Sequence, residues 1–96
     1  MSNIVSEILT PATNQTITTG AVSVLLTNPF GTYTTVVRLC ATAACHIKIG
    51  NPTATATTSD PYLPANTPWY IFVAPGQKIA AIQNAAGGVL HVTEMS

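Results

Sequence analysis

The sequence predicts an all-β fold, a small antiparallel β-sandwich or barrel of about seven short strands. Three observations predict it. Thr, Val, Ile and Ala dominate the chain, and the β-branched types among them suit a pleated surface. Turn residues recur about every eight to twelve positions, the spacing of a fold built from short strands. Several of the intervening runs alternate polar and apolar residues, the period of a half-buried strand. The chain has 96 residues, so residues 1–96 are read as a single domain. At that size only about 60–70% of the extended surface can be buried.

The elements follow in order. Residues 3–9 (NIVSEIL) carry Ile4, Val5, Ile8 and Leu9 at a spacing that fits a helical face. The run is too short for a stable free helix and ends at Thr10-Pro11. Residues 1–12 are therefore expected to be an N-terminal arm or a first strand. The first clear strand is 13–19 (TNQTITT), ended by Gly20. Residues 21–27 (AVSVLLT) form the next, stopped by Asn28-Pro29, and the third starts at Tyr33 (YTTVVRLCA). The fourth is CHIKIG from Cys45, stopped by Asn51-Pro52. WYIFVA from Trp69 is the fifth, followed by a Pro75-Gly76 turn, and KIAAIQ from Lys78 is the sixth. Gly87-Gly88 reads as a hairpin turn into the seventh, GVLHVTE.

The third and fourth strands are read as a hairpin. If Cys40 faced Cys45, both faces would mix charge with hydrocarbon. With Leu39 opposite Cys45, Val37, Leu39, Cys45, Ile47 and Ile49 point inward, and Arg38, His46 and Lys48 point outward. A one-residue slip would invert every side chain, so burial selects the second register. Cys40 then lies outside the core and Cys45 inside it, which disfavours a disulfide between them.

Residues 51–68 form one long loop, longer than the usual connection in a compact domain. Its first part, TATATTS, is low in complexity and expected to be mobile. Its second part is different. Pro61, Pro64, Pro68 and Pro75 fall within fifteen positions, around the only tryptophan, Trp69, and Tyr70. Prolines restrict the backbone and aromatics offer area to bury. In the strand that follows, Trp69, Ile71 and Val73 oppose Tyr70, Phe72 and Ala74. Both faces are apolar, and such a strand is usually covered on both. Tyr62, Leu63, Trp69 and Tyr70, with Ile4 and Val5 of the N-terminal arm, are the candidate interface residues.

Charge narrows the function. The only charged residues are Glu7, Arg38, Lys48, Asp60, Lys78 and Glu94, 6% of the chain, with a formal net charge of zero. An ordinary soluble domain carries about 25%. The mean hydropathy is +0.37. Surfaces so neutral tend to associate, which predicts a homo-oligomer, dimer or trimer. Three separated basic residues make no nucleic-acid stripe. No apolar run is long enough to span a bilayer as a helix. The first residues lack the basic and apolar regions of a secretory signal, so synthesis in a cytoplasm is expected.

The chemistry of an enzyme is missing. Two histidines and two cysteines show no spacing recurrent in zinc sites, and neighbours Cys45 and His46 point to opposite faces of a strand. His91 reads as an exposed strand histidine. Asp60 precedes a proline, where it starts a turn. Nothing places a nucleophile against a base, pairs two carboxylates, or cradles a phosphate. The expectation is no enzyme, no metal and no cofactor.

The second half of the chain resembles a recurring pattern in small virion structural proteins of tailed bacteriophages. The matching positions are Leu63-Pro64-Ala65, Pro75-Gly76, Ile79-Ala80-Ala81-Ile82, Gly87-Gly88 and Val92-Thr93-Glu94, and RLCATAACHIKIG before them also fits. These turn and strand motifs cover about half to two thirds of the chain. The resemblance implies an all-β module that decorates or cements a capsid, or sits at a head–tail or tail junction, and it implies no catalytic residues. The expected partners are further copies of the chain and the major capsid protein or another virion protein. The expected location is the virion, after synthesis in the host bacterial cytoplasm. In a different class stands a carbohydrate-binding module, in which Tyr62, Trp69 and Tyr70 would stack on sugar rings.

Overall fold

A computed structural model describes residues 11–32, 34–51 and 53–95, and these residues form a β-sandwich of two four-stranded antiparallel sheets, with no helix among them. The strands are β1 (Pro11–Thr18), β2 (Val24–Leu25), β3 (Val36–Ala41), β4 (Cys45–Gly50), β5 (Tyr62–Leu63), β6 (Trp69–Phe72), β7 (Lys78–Gln83) and β8 (Val89–Met95). One sheet has the order β1-β8-β3-β6 and the other β2-β7-β4-β5. The expected sandwich is therefore present, with eight strands among the described residues in place of about seven. The extra strand, β5, is a two-residue pairing of Tyr62 with His46 and Leu63 with Cys45, inside what reads from sequence as loop.

The main correction concerns pairing. β3 and β4 do not form a hairpin. β3 pairs with β8 and β6, whereas β4 pairs with β7 and β5. The Gly87-Gly88 turn likewise joins strands of opposite sheets, β7 and β8. Only β4 and β5, among consecutive strands, share a sheet. The inward and outward assignment survives this change of partner, because it depends on the period of two rather than on the partner. Val37, Leu39, Cys45 and Ile47 are buried, and Ile49 packs against the core. Lys48 is exposed.

Ile17, Leu39, Leu63, Ile79, Leu90 and Val92 are the large, fully buried side chains at the centre, facing each other from the two sheets. Leu26 and Phe30 join them from the irregular segment after β2. That segment shows why the expected strand 21–27 shortens to two residues. It follows β7 through separate bonds, Leu26 N–H to Ile79 O at 2.8 Å and Phe30 N–H to Gln77 O at 2.9 Å. Opposite it, the Gln15 side-chain amide substitutes for a strand partner. Its Nε2 donates to Asn28 O and its Oε1 accepts from Asn28 N–H, at 3.1 and 3.0 Å.

Residues 51–60 are not a slack connection. Asn51 Oδ1 accepts the Thr53 N–H at 2.9 Å, and Asp60 Oδ2 accepts the Thr57 N–H at 2.7 Å, closing two local turns. Between them Ala56 is buried and donates its N–H to Ser23 Oγ at 2.8 Å. Ser23 lies beside β2 and Gly50 ends β4, on either side of β7, so the segment crosses the outer face of that sheet. This accounts for Ala80, which points outward from β7 yet is fully buried.

Candidate functional site

Two features of the surface are candidates for a functional site, an exposed strand and an open cleft. The exposed strand is β6. Trp69 and Ile71 turn inward onto the core, with Val73 just beyond the strand doing the same. Tyr70 and Phe72 turn outward and are 40% and 82% exposed. The register puts Tyr70 beside Arg38 and Phe72 beside Val36 on the same outer face. The two-faced apolar pattern of this strand is thus covered on one side by the sandwich and open on the other. A phenyl ring that exposed on a strand is the largest uncovered hydrocarbon of the described residues, with Val22, 76% exposed, at the far end of the sandwich.

The remaining interface candidates fall in different places. Tyr62 is 47% exposed, and its ring meets the His46 ring edge-on at a centroid distance of 5.5 Å. Leu63, its neighbour on β5, points the other way and is wholly buried. The expectation that Leu63 meets a partner is therefore corrected: alternation on the strand makes it core. Ile4 and Val5 lie outside the described residues.

His46 also differs from its expected solvent-facing position. It points to the outer face but is buried, because residues 60–62 and Asn84 close over it. Nδ1–H donates to Asp60 O at 2.8 Å, and Nε2 lies 2.9 Å from the Asn84 side-chain amide. The ring thus ties the long loop to the end of β7, which is a structural use. His91 is half-buried on the outer face of the other sheet, paired in register with Cys40. Both cysteines are free, Cys40 half-buried and Cys45 buried. Burial pushes the Cys45 thiol pKa upward. Among the described residues, no three of His, Cys, Asp and Glu come together.

Glu94 is the residue that sequence reading passes over. It shares the inward face of β8 with Leu90 and Val92 and is buried. Its Oε1 accepts the Gly31 N–H at 3.1 Å and the Thr34 hydroxyl. A buried carboxylate needs such donors, and here they hold the turn before β3. The signal was available: alternation from Leu90 places Glu94 on the core face.

The open cleft lies between β4 and β6, where the two sheets part. It has a volume of about 380 Å³ and is lined by Ile47, Lys48, Ile49, Asp60, Pro61, Trp69 and Ile71. Apart from Lys48 and Asp60, the lining side chains are apolar. Trp69 therefore sits between core and cleft, at the start of β6 rather than in an isolated loop.

Compared with protein-family models, with curated proteins and with solved structures, the chain matches none.

Proposed function

We propose that this chain is a bacteriophage virion structural protein, a capsid decoration or cement protein that stabilises the shell through protein–protein contacts. The observation that carries the reading is Phe72. A strand phenylalanine 82% exposed, in a chain with 6% charged residues, calls for a covering protein. The resemblance of the second half to small virion proteins supplies the class of partner. The mechanism is adhesive. A rigid sandwich presents Phe72 and Tyr70 from β6 and Tyr62 from β5, and these rings bury against neighbouring shell subunits. Each contact resists separation of those subunits under the outward pressure of packaged DNA. Rigid aromatic side chains suit this role, because they offer large area for few rotatable bonds.

The same surface chemistry serves a tail or head–tail connector component, and virion microscopy separates the locations. The test of the class is co-sedimentation with virions of the phage that encodes the chain. Wild-type protein is expected to bind, and Phe72→Ser to bind at least about tenfold more weakly with an unchanged melting temperature. Equal binding by Phe72→Ser overturns the assignment of this face. No binding to virions, together with binding to a sugar panel that Tyr62→Ala abolishes, overturns the function in favour of a carbohydrate-binding module.

A further inference from the structure

We propose that β6 pairs edge to edge with β6 of a second copy of this chain, antiparallel about a two-fold axis at Ile71, so that the β1-β8-β3-β6 sheet runs on into its own image. Such a joint goes beyond the proposed function, because it concerns how copies of the chain meet and holds with or without a virion.

Hydrogen-bond direction identifies what the edge offers. β6 ends its sheet and, among the described residues, pairs only with β3. Val73 N–H donates to Thr35 O at 2.8 Å, and the same register sets Val37 opposite Ile71 and Leu39 opposite Trp69. Backbone groups alternate between the two sides of a strand, so Trp69, Ile71 and Val73 bond toward β3. The N–H and C=O of Tyr70 and Phe72 point the other way, to the open side. The far side of β3 has the same phase. Thr42 N–H, just past the end of β3, donates to Val89 O of β8 at 2.9 Å, so Arg38 and Cys40 bond toward β8 while Val37 and Leu39 bond toward β6. The open stretch is closed at both ends. Pro68 has no N–H to give, and Ala74 N–H is held by Gln77 Oε1 at 2.8 Å.

Those limits select the partner and the register. A two-fold axis perpendicular to the sheet keeps outer face beside outer face, so it pairs only residues that share a face. Centred on Tyr70, it sets Phe72 against Pro68, and the Phe72 C=O finds no donor. Centred on Phe72, it sets Tyr70 against Ala74, whose N–H is taken. Centred on Ile71, it sets Tyr70 against Phe72 of the second copy, and Phe72 against its Tyr70. Each pair then exchanges both N–H···O bonds, and every free group of this stretch is used. The edge is complementary to its own image, which is what an isologous contact requires.

Side chains and charge agree with that register. It makes the exposed rings of Tyr70 and Phe72 cross-strand neighbours on the outer face, a stabilising pair. On the inner face the half-buried Ile71 meets Ile71 of the second copy. β6 carries none of the charged residues that keep an edge from pairing. Arg38, beside Tyr70 on β3, stays at least about 14 Å from its own image, three strand spacings away, beyond a screening length of about 8 Å. The cleft along the inner side of β6 adds Lys48 and Asp60, one charge of each sign, so it brings no net charge against its image.

Hydrogen exchange reads the edge in the unsubstituted protein. β6 is only four residues long, so the contact is small and weak and is followed across a concentration series. The amides of Tyr70 and Phe72 should exchange at least about tenfold more slowly at millimolar than at low-micromolar concentration. The amide of Ile71, bonded to β3, should stay protected throughout. Cross-linking reads the register. In a Cys40→Ser background, Ile71→Cys should form a disulfide-linked dimer under mild oxidation, because facing residues of a non-hydrogen-bonded pair lie about 4.5 Å apart at Cα. Tyr70→Cys should not, since its own image lies two residues along the strand, beyond about 7 Å. Tyr70 and Phe72 amides that exchange fast at every concentration overturn the pairing, whatever the cysteine variants do. Linkage through Tyr70→Cys in place of Ile71→Cys overturns the register. A protein that stays monomeric and binds virions removes the pairing and leaves the proposed function standing. A β6-paired dimer that binds none removes that function and leaves the pairing.

Discussion

At the scale of single residues, burial and alternation explain most of what each side chain does. Cys40 and Cys45 differ by one strand face and so differ in access to solvent. Thiol reagents should modify Cys40 quickly and Cys45 slowly in native protein, and both at one rate after denaturation; equal native rates would contradict the placement. The raised pKa of the Cys45 thiol has a sign that can be worked out. The native state keeps this proton at a pH where the unfolded chain has lost it, so stability falls as pH rises above the thiol's ordinary value. Cys45→Val should flatten that alkaline decline in denaturant titrations. Glu94 acts in the opposite sense to a surface charge. Its removal leaves the Gly31 N–H and the Thr34 hydroxyl without their acceptor. Glu94→Ala should cost about 1–3 kcal/mol in chemical denaturation. A loss below a few tenths would mean that water replaces the carboxylate without penalty.

Among the elements, the decisive feature is the entry to β8. Thr19 N–H donates to Gly88 O at 2.8 Å, and Gly88 N–H donates to Thr19 Oγ1 at 2.8 Å. Val89 N–H in turn donates to Thr42 Oγ1 at 2.9 Å. Two threonines from separate segments thus close around one glycine. A Cβ at Gly88 would lie 2.7 Å from Ala43 Cβ and 2.8 Å from Thr42 Oγ1. Neither neighbour is the flexible end of a long side chain. Gly88→Ala should therefore destabilise by about 1–3 kcal/mol, read from the thermal or denaturant midpoint. Gly76→Ala tests a different cause, since that residue holds φ +83° with open space around it. Its cost should be smaller, on the order of 1 kcal/mol, and purely conformational. β6 divides its residues between two environments: Trp69 and Ile71 close the sandwich, and Tyr70 and Phe72 are exposed on the outer face.

In the whole molecule, nearly every pairing is long-range. β8 is central to its sheet and pairs with β1, the first strand of the described residues, and with β3. Native contacts of this kind require loop closure before any reward, so refolding should be slow for a domain of this size, in milliseconds to seconds. Stopped-flow fluorescence of Trp69 measures it, and a microsecond phase carrying the full amplitude would contradict the topology. The same topology separates what was legible in sequence from what was not. Strand identity, facing and the core set at Val37, Leu39, Cys45 and Ile47 follow from a period of two, which is a local property. Composition likewise announced a surface with few charges. Which strands pair was not legible, because β-arches and hairpins use the same turn residues and differ only in where the next strand finds an edge. The cleft inherits that limit. Ile49 and Ile71 read as inward from sequence alone, yet whether inward means covered depends on how far β5 extends along β4. Alternating hydrophobicity therefore determined the sandwich and its core. Only tertiary structure decided which strands pair, the burial of Ala56 and Ala80, and the open cleft beside Trp69, because edge pairing is settled by global closure of the sheets.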